Sequence, residues 1–118
     1  MTVDDICRVL CNARYHYHSE KGLQQGVNQL LSELGVNFRP EYSLSPRNRI
    51  DFLIETLGIG IECKVDGTLN ALLRQISRYA ATGKISDLIV LTTRSIHQRI
   101  PTQLHGVSVF VVVISPLL

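Results

Sequence analysis

Cysteine is scarce in this chain of 118 residues: only Cys7, Cys11 and Cys63 are present. An odd count, with no secretory pattern at the N-terminus, argues against a disulfide framework and leads to the expectation of a reducing, cytoplasmic setting. Charge of one sign is equally limited. Twelve basic residues against ten acidic ones give a formal net charge of +2, so this is not a polybasic tail. A surface for nucleic acid would have to come from the arrangement of charge, not from its total. Long hydrophobic runs are also missing. The longest, Val107 to Ile114, is far too short to cross a bilayer as a helix, and no membrane association is expected. Repeats, linkers and low-complexity segments are absent, so residues 1–118 are expected to form one domain. What is present suits a folded globular protein, with 45% apolar and 19% charged residues and length enough for one core.

The periodicity of the apolar residues divides the chain. Thr2 followed by Asp4 and Asp5 marks a helix start, and Ile6, Val9, Leu10 and Ala13 keep helical spacing. Ser19 caps a second predicted helix that runs to about Leu34 and stops at Gly35. Asn37 to Ser43 gives a weaker strand pattern, and Ser45, Pro46, Arg47 and Asn48 form a predicted turn. Ile50–Glu55 and Ile59–Val65 are predicted as two strands with a short connection. A third helix is expected from Thr68 to Ala80. Ile85–Thr92 and Val107–Ile114 are nearly continuous apolar runs, as expected of strands covered on both faces, and Pro101 breaks the segment between them. The fold class expected is α/β, a three-layer sandwich with a central mixed sheet flanked by helices.

Side chains alternate along a strand. Ile59, Ile61, Cys63 and Val65 therefore share one face, suited to a core, and Gly60, Glu62 and Lys64 share the other. With a two-residue or a four-residue connection between the strands, Asp51 falls opposite Glu62; with a three-residue loop it falls opposite Cys63. Directly opposed residues have Cβ atoms roughly 4.5–5.5 Å apart. Two carboxylates at that distance repel unless a cation lies between them, and a hard divalent ion such as Mg²⁺ suits oxygen donors. Taken alone, Glu-x-Lys is a common pattern and an exposed polar strand face needs no such explanation.

The surroundings add weight. Ile50-Asp51-Phe52-Leu53-Ile54 followed by Gly58-Ile59-Gly60-Ile61-Glu62-Cys63-Lys64-Val65-Asp66-Gly67 resembles the core of the PD-(D/E)XK nuclease superfamily. Gln75-Ile76-Ser77-Arg78-Tyr79 is similar to the Gln-x-x-x-Tyr element of its recombination-exonuclease branch. The resemblance covers roughly Ser19 to Thr92, with Ile50 standing where the family's nominal proline would be. It implies a restriction-endonuclease-like core and a catalytic set of Asp51, Glu62 and Lys64. It also implies a Mg²⁺ ion, replaceable by Mn²⁺, held by Asp51, Glu62 and the Cys63 carbonyl. Family members commonly place an acidic residue on the preceding helix near the metal. Here Glu20 stands within about 40° of Val27, Leu31 and Leu34 on a helical wheel, in the middle of the apolar stripe. Glu20 should therefore point inward, and the resemblance implies that it joins the metal site; a glutamate favoured by the helix dipole is the alternative.

Gln75, Tyr79 and Arg78 are then expected near the substrate, with Arg49 and Arg47 as further phosphate contacts. Arg74 and Arg78 are four apart on the helix, with Arg74 read as a solvated position. The implied function is metal-dependent hydrolysis of phosphodiester bonds, most simply in DNA, leaving 5′-phosphate and 3′-hydroxyl ends. A nuclease-type fold that binds nucleic acid without cutting it, or a protein-interaction module, are the alternatives. The apolar Val107–Ile114 strand needs cover on both faces, which leads us to expect a homodimer. A zinc site at Cys7, Cys11, His16 and His18 competes as a metal centre, but its spacing is looser than structural zinc sites use. No partner is evident for His97 or His105.

Overall fold

The computed structural model describes residues 1–15 and 18–115. Thr2 opens α1 (Val3–Asn12). Its hydroxyl accepts the Asp5 N–H at 3.2 Å, and the Asp5 carboxylate accepts the Thr2 N–H at 2.8 Å. This reciprocal cap satisfies donors that every helix start leaves open. Ser19 caps α2 (Glu20–Glu33) through the Gly22 N–H, and Gly35, at φ +72°, turns the chain out of it. Thr68 caps α3 (Leu69–Ala81) through the Ala71 N–H.

Among the described residues, six strands complete the fold: β1 (Arg39–Ser45), β2 (Asn48–Ile54), β3 (Ile59–Lys64), β4 (Asp87–Thr92), β5 (Gln103–Leu104) and β6 (Val107–Val113). They form one open sheet in the order β1-β2-β3-β4-β6-β5. The β1, β2 and β3 contacts are antiparallel, β3, β4 and β6 run parallel, and β5 returns antiparallel to β6. The result is an α/β fold with a mixed sheet. Among the described residues, no helix is long and apolar enough to cross a membrane.

The element order matches the sequence pattern, with shifts that have local causes. A tight turn at Pro46 and Arg47 lets β1 and β2 start pairing at Ser45 and Asn48, so β1 lies two residues later than its apolar pattern suggests. The β2–β3 connection is a single 3₁₀ turn over Glu55–Leu57, closed by Gly58 in the left-handed region at φ +66°. This four-residue connection sets the register Phe52↔Ile61, Leu53↔Gly60 and Ile54↔Ile59. Between β4 and β6 the chain is not a plain loop. It holds a 3₁₀ helix at Ser95–Arg99 and the short β5.

Apolar clusters cover both sides of the sheet. On one, Ile6 and Leu10 of α1 and Leu23, Val27 and Leu31 of α2 pack on Phe52, Ile54, Ile59, Ile61, Cys63, Ile89 and Leu91. On the other, Leu72, Ile76 and Tyr79 of α3 pack on Ile50, Leu53, Leu88, Val90 and Val109. Strand β4 is covered on both sides, whereas Phe110 to Val113 of β6 are only half-buried. Strict alternation would place Ile50 beside Phe52 and Ile54. Instead Ile50 joins the α3 side, so β2 switches faces between Ile50 and Phe52, at Asp51. The neighbouring strand bends at the same level: Glu41, between the pairs Pro40↔Phe52 and Tyr42↔Ile50, has φ +49°.

Gly60 makes this switch sterically tolerable. A Cβ at Gly60 would stand 2.5 Å from Ile50 Cδ1 and 3.4 Å from methyl carbons of Ile85 and Leu88. Gly60→Ala is therefore expected to lower stability by about 1–3 kcal/mol through overpacking. Ile50→Val, which removes the obstructing methyl, should recover part of that loss in the double variant. Urea unfolding of the four proteins checks both; additive losses would show that the two positions do not compete for the same space.

Candidate active site

The β2–β3 ladder ends at Phe52↔Ile61, one residue before Asp51 and Glu62 would pair. Where the strands part, side chains replace the backbone ladder. Asp51 Oδ2 accepts the Cys63 N–H at 2.8 Å, and Glu62 Oε1 accepts the Asp51 N–H at 3.2 Å. Each carboxylate thus satisfies a main-chain donor that the missing ladder bonds leave open, and each is fixed to the opposite strand.

Residues distant along the chain hold the remaining oxygens. Gln24 Nε2 on α2 donates to Asp51 Oδ1 at 3.0 Å. The Tyr79 hydroxyl on α3 lies 3.3 Å from Glu62 Oε2 and donates to the Arg49 carbonyl at 2.9 Å, while Gln75 Nε2 donates to the same hydroxyl at 2.9 Å. Lys64 Nζ stands 3.5 Å from Glu62 Oε2. Glu62 is only 2% exposed, so this ion pair has one member almost out of water. Such a pair is sensitive to loss of either partner.

Burial pushes the Glu62 carboxyl up to about 8; the nearby Asp51 charge adds to the rise and the Lys64 ammonium opposes it. The Asp51 carboxyl is also raised by burial, against the Cys63 N–H and the Gln24 amide, which favour its charge. Glu20 is raised too, by burial first. Lys64 and the Val65 N–H ease its charge, and Asp51 opposes it. Three carboxyls that each resist ionisation therefore share one neighbourhood with a single ammonium.

Glu20, Lys64, Asp66, Gln75 and Arg78 line a cleft of about 260 Å³ between the start of α2 and α3. Arg78 is exposed, and its Nε reaches Asn48 Oδ1 at 3.3 Å beside the β1–β2 turn. Arg47 and Arg49 are exposed on that turn, Arg49 meeting Tyr79 only through its carbonyl. Arg74 is exposed on α3. Main-chain direction places the Cys63 carbonyl with the carboxylates. Gly58 and Lys64 offer their carbonyls to Ser86 and Thr93 on the β4 side, so Cys63, of opposite parity, turns toward β2.

Two groups near the site escaped the sequence pattern. Gln24 looked like an ordinary polar helix residue. His97 is fully buried, with Nδ1 2.6 Å from Thr92 Oγ1 and Nε2 3.1 Å from the Gly67 carbonyl. The Gly67 carbonyl can only accept, so Nε2 carries the proton toward it; in the neutral ring Nδ1 then accepts from the Thr92 hydroxyl, whose oxygen also accepts the Arg94 N–H. This ties the β3–α3 turn, just past Lys64, to the end of β4. A local sequence signal for it is lacking, because Gly67 and His97 are thirty residues apart.

A hard divalent ion fits the donor chemistry here: two carboxylates and a carbonyl, fixed by hydrogen bonds, with too little positive charge around them. Among the described residues, no group of three or more His, Cys, Asp and Glu side chains is placed to hold a metal. Of the zinc alternative, His16 lies outside the described residues; Cys7 is half-buried and Cys11 exposed on α1.

The raised Glu62 value has a consequence for stability. Between about 4.5 and 8 the folded chain keeps a proton on Glu62 that the unfolded chain has released. Stability without divalent cation should therefore fall as pH rises through this window. Thermal melting in chelator is expected to give a lower midpoint at pH 8.5 than at pH 5. Glu62→Gln should flatten that decline, and an equally steep decline in the variant would assign it to another group. Comparisons with family models, with curated proteins and with solved structures find no match for this chain.

Proposed function

We propose that this chain is a metal-dependent nuclease of the PD-(D/E)XK type, with a restriction-endonuclease-like core, that hydrolyses phosphodiester bonds of DNA to leave 5′-phosphate ends. One observation carries the reading: Asp51 and Glu62 are pinned where the β2–β3 ladder opens, with Lys64 Nζ 3.5 Å from Glu62. A scaffold without chemistry has little reason to bury two acids against so little positive charge.

Asp51, Glu62 and the Cys63 carbonyl would hold Mg²⁺ or Mn²⁺, with Glu20 beside them. When bound, that ion supplies a Lewis acid that acidifies water and offsets charge on the phosphate. Gln24 holds Asp51 from α2, and Tyr79 with Gln75 holds Glu62 from α3, so neither carboxylate needs to reorganise during the reaction. Lys64 positions the attacking water and donates to the oxygens of the pentavalent transition state. The water oxygen bonds to phosphorus as the P–O3′ bond breaks, one proton passes to solvent and the departing 3′ oxygen acquires another.

The substrate backbone would approach over α3 and the β1–β2 turn. Residues 67–86 contain Arg74, Arg78 and Lys84 and no acid, and residues 42–50 contain Arg47 and Arg49 and no acid. These basic residues gather along one side, around the cleft that Glu20 and Asp66 also line, and supply contacts for phosphates. A reducing, cytoplasmic setting belongs to the same proposal, since Cys7, Cys11 and Cys63 are free. So does a homodimer, formed along the half-buried Phe110–Val113 stretch of β6.

A second reading is favoured by a separate observation. All four oxygens of Asp51 and Glu62 already have internal partners, as in a site that binds nucleic acid without cutting it. Lys64 separates the two. Lys64→Ala should reduce single-turnover cleavage by about 10²–10³, the usual effect of losing one preorganised transition-state donor, while the fold and Mg²⁺ binding are kept. Lys64→Arg should not restore the rate, because a planar guanidinium is bulkier and aims its donors differently. Asp51→Asn should abolish both cleavage and calorimetric Mg²⁺ binding. No cleavage by the wild-type chain on single-stranded, double-stranded or branched DNA, with Mg²⁺ or Mn²⁺, would leave the second reading.

A further inference from the structure

Asp51 also borders a second space, on the side of the sheet away from α3. A groove of about 390 Å³ runs between α2 and β1, with Gln24, Gln25, Asn28 and Gln29 on one wall and Pro40 and Glu41 on the other. Lys21, Asp51 and Phe52 complete it. Lys21, Gln24 and Asn28 are three and four residues apart, so they present one helical face. Gln24 is engaged by Asp51, and Gln29 donates to Glu33. Gln25 and Asn28 have no side-chain hydrogen bond to another described residue, although Asn28 is half-buried.

The charge of this groove is unlike that of the α3 side. It holds one cation, Lys21, against the carboxylates of Glu41 and Asp51, so a row of phosphates is repelled. Neutral amides carry a donor and an acceptor together and match the edges of nucleobases, above all adenine. Pro40 is exposed on the opposite wall and offers a flat apolar face to a base. From Lys21 to Asn28 the helix rises about 10 Å, the length of roughly three stacked nucleotides. The bend at Glu41, where a non-glycine residue holds φ +49°, shapes the wall that faces the amides.

We propose that the α2–β1 groove is a subsite for two or three unpaired bases of single-stranded DNA next to the scissile phosphate, contacted by Gln25 and Asn28. This rests on the nuclease reading of Asp51 and Glu62, and it sharpens the substrate class to DNA with unpaired nucleotides at the cut. A base held between the amide wall and the face of Pro40 has to leave its stack, and its Watson–Crick edge is free only in an unpaired strand, so this wall suits unpaired nucleotides.

The test uses a fluorescein-labelled single-stranded DNA hexamer and a blunt duplex, with the full chain in chelator. The wild type should bind the hexamer, and Gln25→Ala with Asn28→Ala should weaken that binding about tenfold or more, leaving duplex binding unchanged. Replacing the central bases by abasic sites should weaken wild-type binding to a similar degree and add little in the double variant. Gln25 is exposed, so Gln25→Ala alone carries the test if Asn28→Ala melts early. Equal binding by wild type and variants, an undiminished abasic hexamer, or a loss shared equally by the duplex would each overturn the groove assignment. Absence of hexamer binding by the wild type would overturn it as well and turn attention to an extended peptide. Hexamer binding that the variants lose, without cleavage once Mg²⁺ or Mn²⁺ is added, would keep the groove and remove the nuclease reading.

Discussion

Two antiparallel strands that stop pairing in the middle of a sheet leave main-chain donors that water cannot easily reach. In this protein the carboxylates of Asp51 and Glu62 take up those donors, each from the strand opposite. The exchange resembles a ladder rung in which side chains stand in for carbonyls. It fixes two acids within one neighbourhood and prevents either from relaxing toward solvent without stranding an N–H. The switch of Ile50 to the α3 side, the bend at Glu41 and the bare α-carbon of Gly60 all belong to the accommodation of this one opening.

Holding acids there is unfavourable, and the rest of the site can be understood as the response. Lys64 gives a counter-charge to Glu62, Gln24 and the Cys63 N–H favour the charge of Asp51, and Tyr79 with Gln75 closes the α3 side. These supports do not bring Glu62 back to an ordinary carboxyl value. Burial is the larger cause, with the Asp51 charge next, and a divalent cation would offset both, which is the physical basis of the proposed phosphodiester chemistry. The supports also come from both helical layers, so the site depends on α2 and α3 being docked on opposite faces. His97 adds a third tie by joining the turn after Lys64 to the end of β4.

Charge and polarity divide along the same line. The α3 and β1–β2-turn segments carry basic residues and no acid of their own, with Glu20 and Asp66 beside Arg78 in the cleft, while the groove beside α2 is lined by neutral amides, Lys21 and two carboxylates. Asp51 lies between them. A phosphodiester strand meeting the carboxylates would therefore find phosphate contacts on one side and hydrogen-bonding partners for bases on the other.

The sequence by itself determined those features that depend on neighbours close along the chain. Thr2, Ser19 and Thr68 are caps that act within three residues, Gly35 ends a helix through its own φ, and the alternation in β3 separates Ile61 and Cys63 from Glu62 and Lys64. The β2–β3 register was narrowed to two choices by the length of the connection. The tertiary structure decided what depends on distant partners. Gln24 meets Asp51 across twenty-seven residues, Tyr79 meets Glu62 across seventeen, and His97 meets Gly67 across thirty. Nothing in the periodicity of α2 distinguishes Gln24 from Gln25, because the difference lies in what another strand brings opposite each. The face switch of β2 was equally hidden, since a strand's period of two assumes an unbroken ladder, and the ladder ends at the residues that make the site.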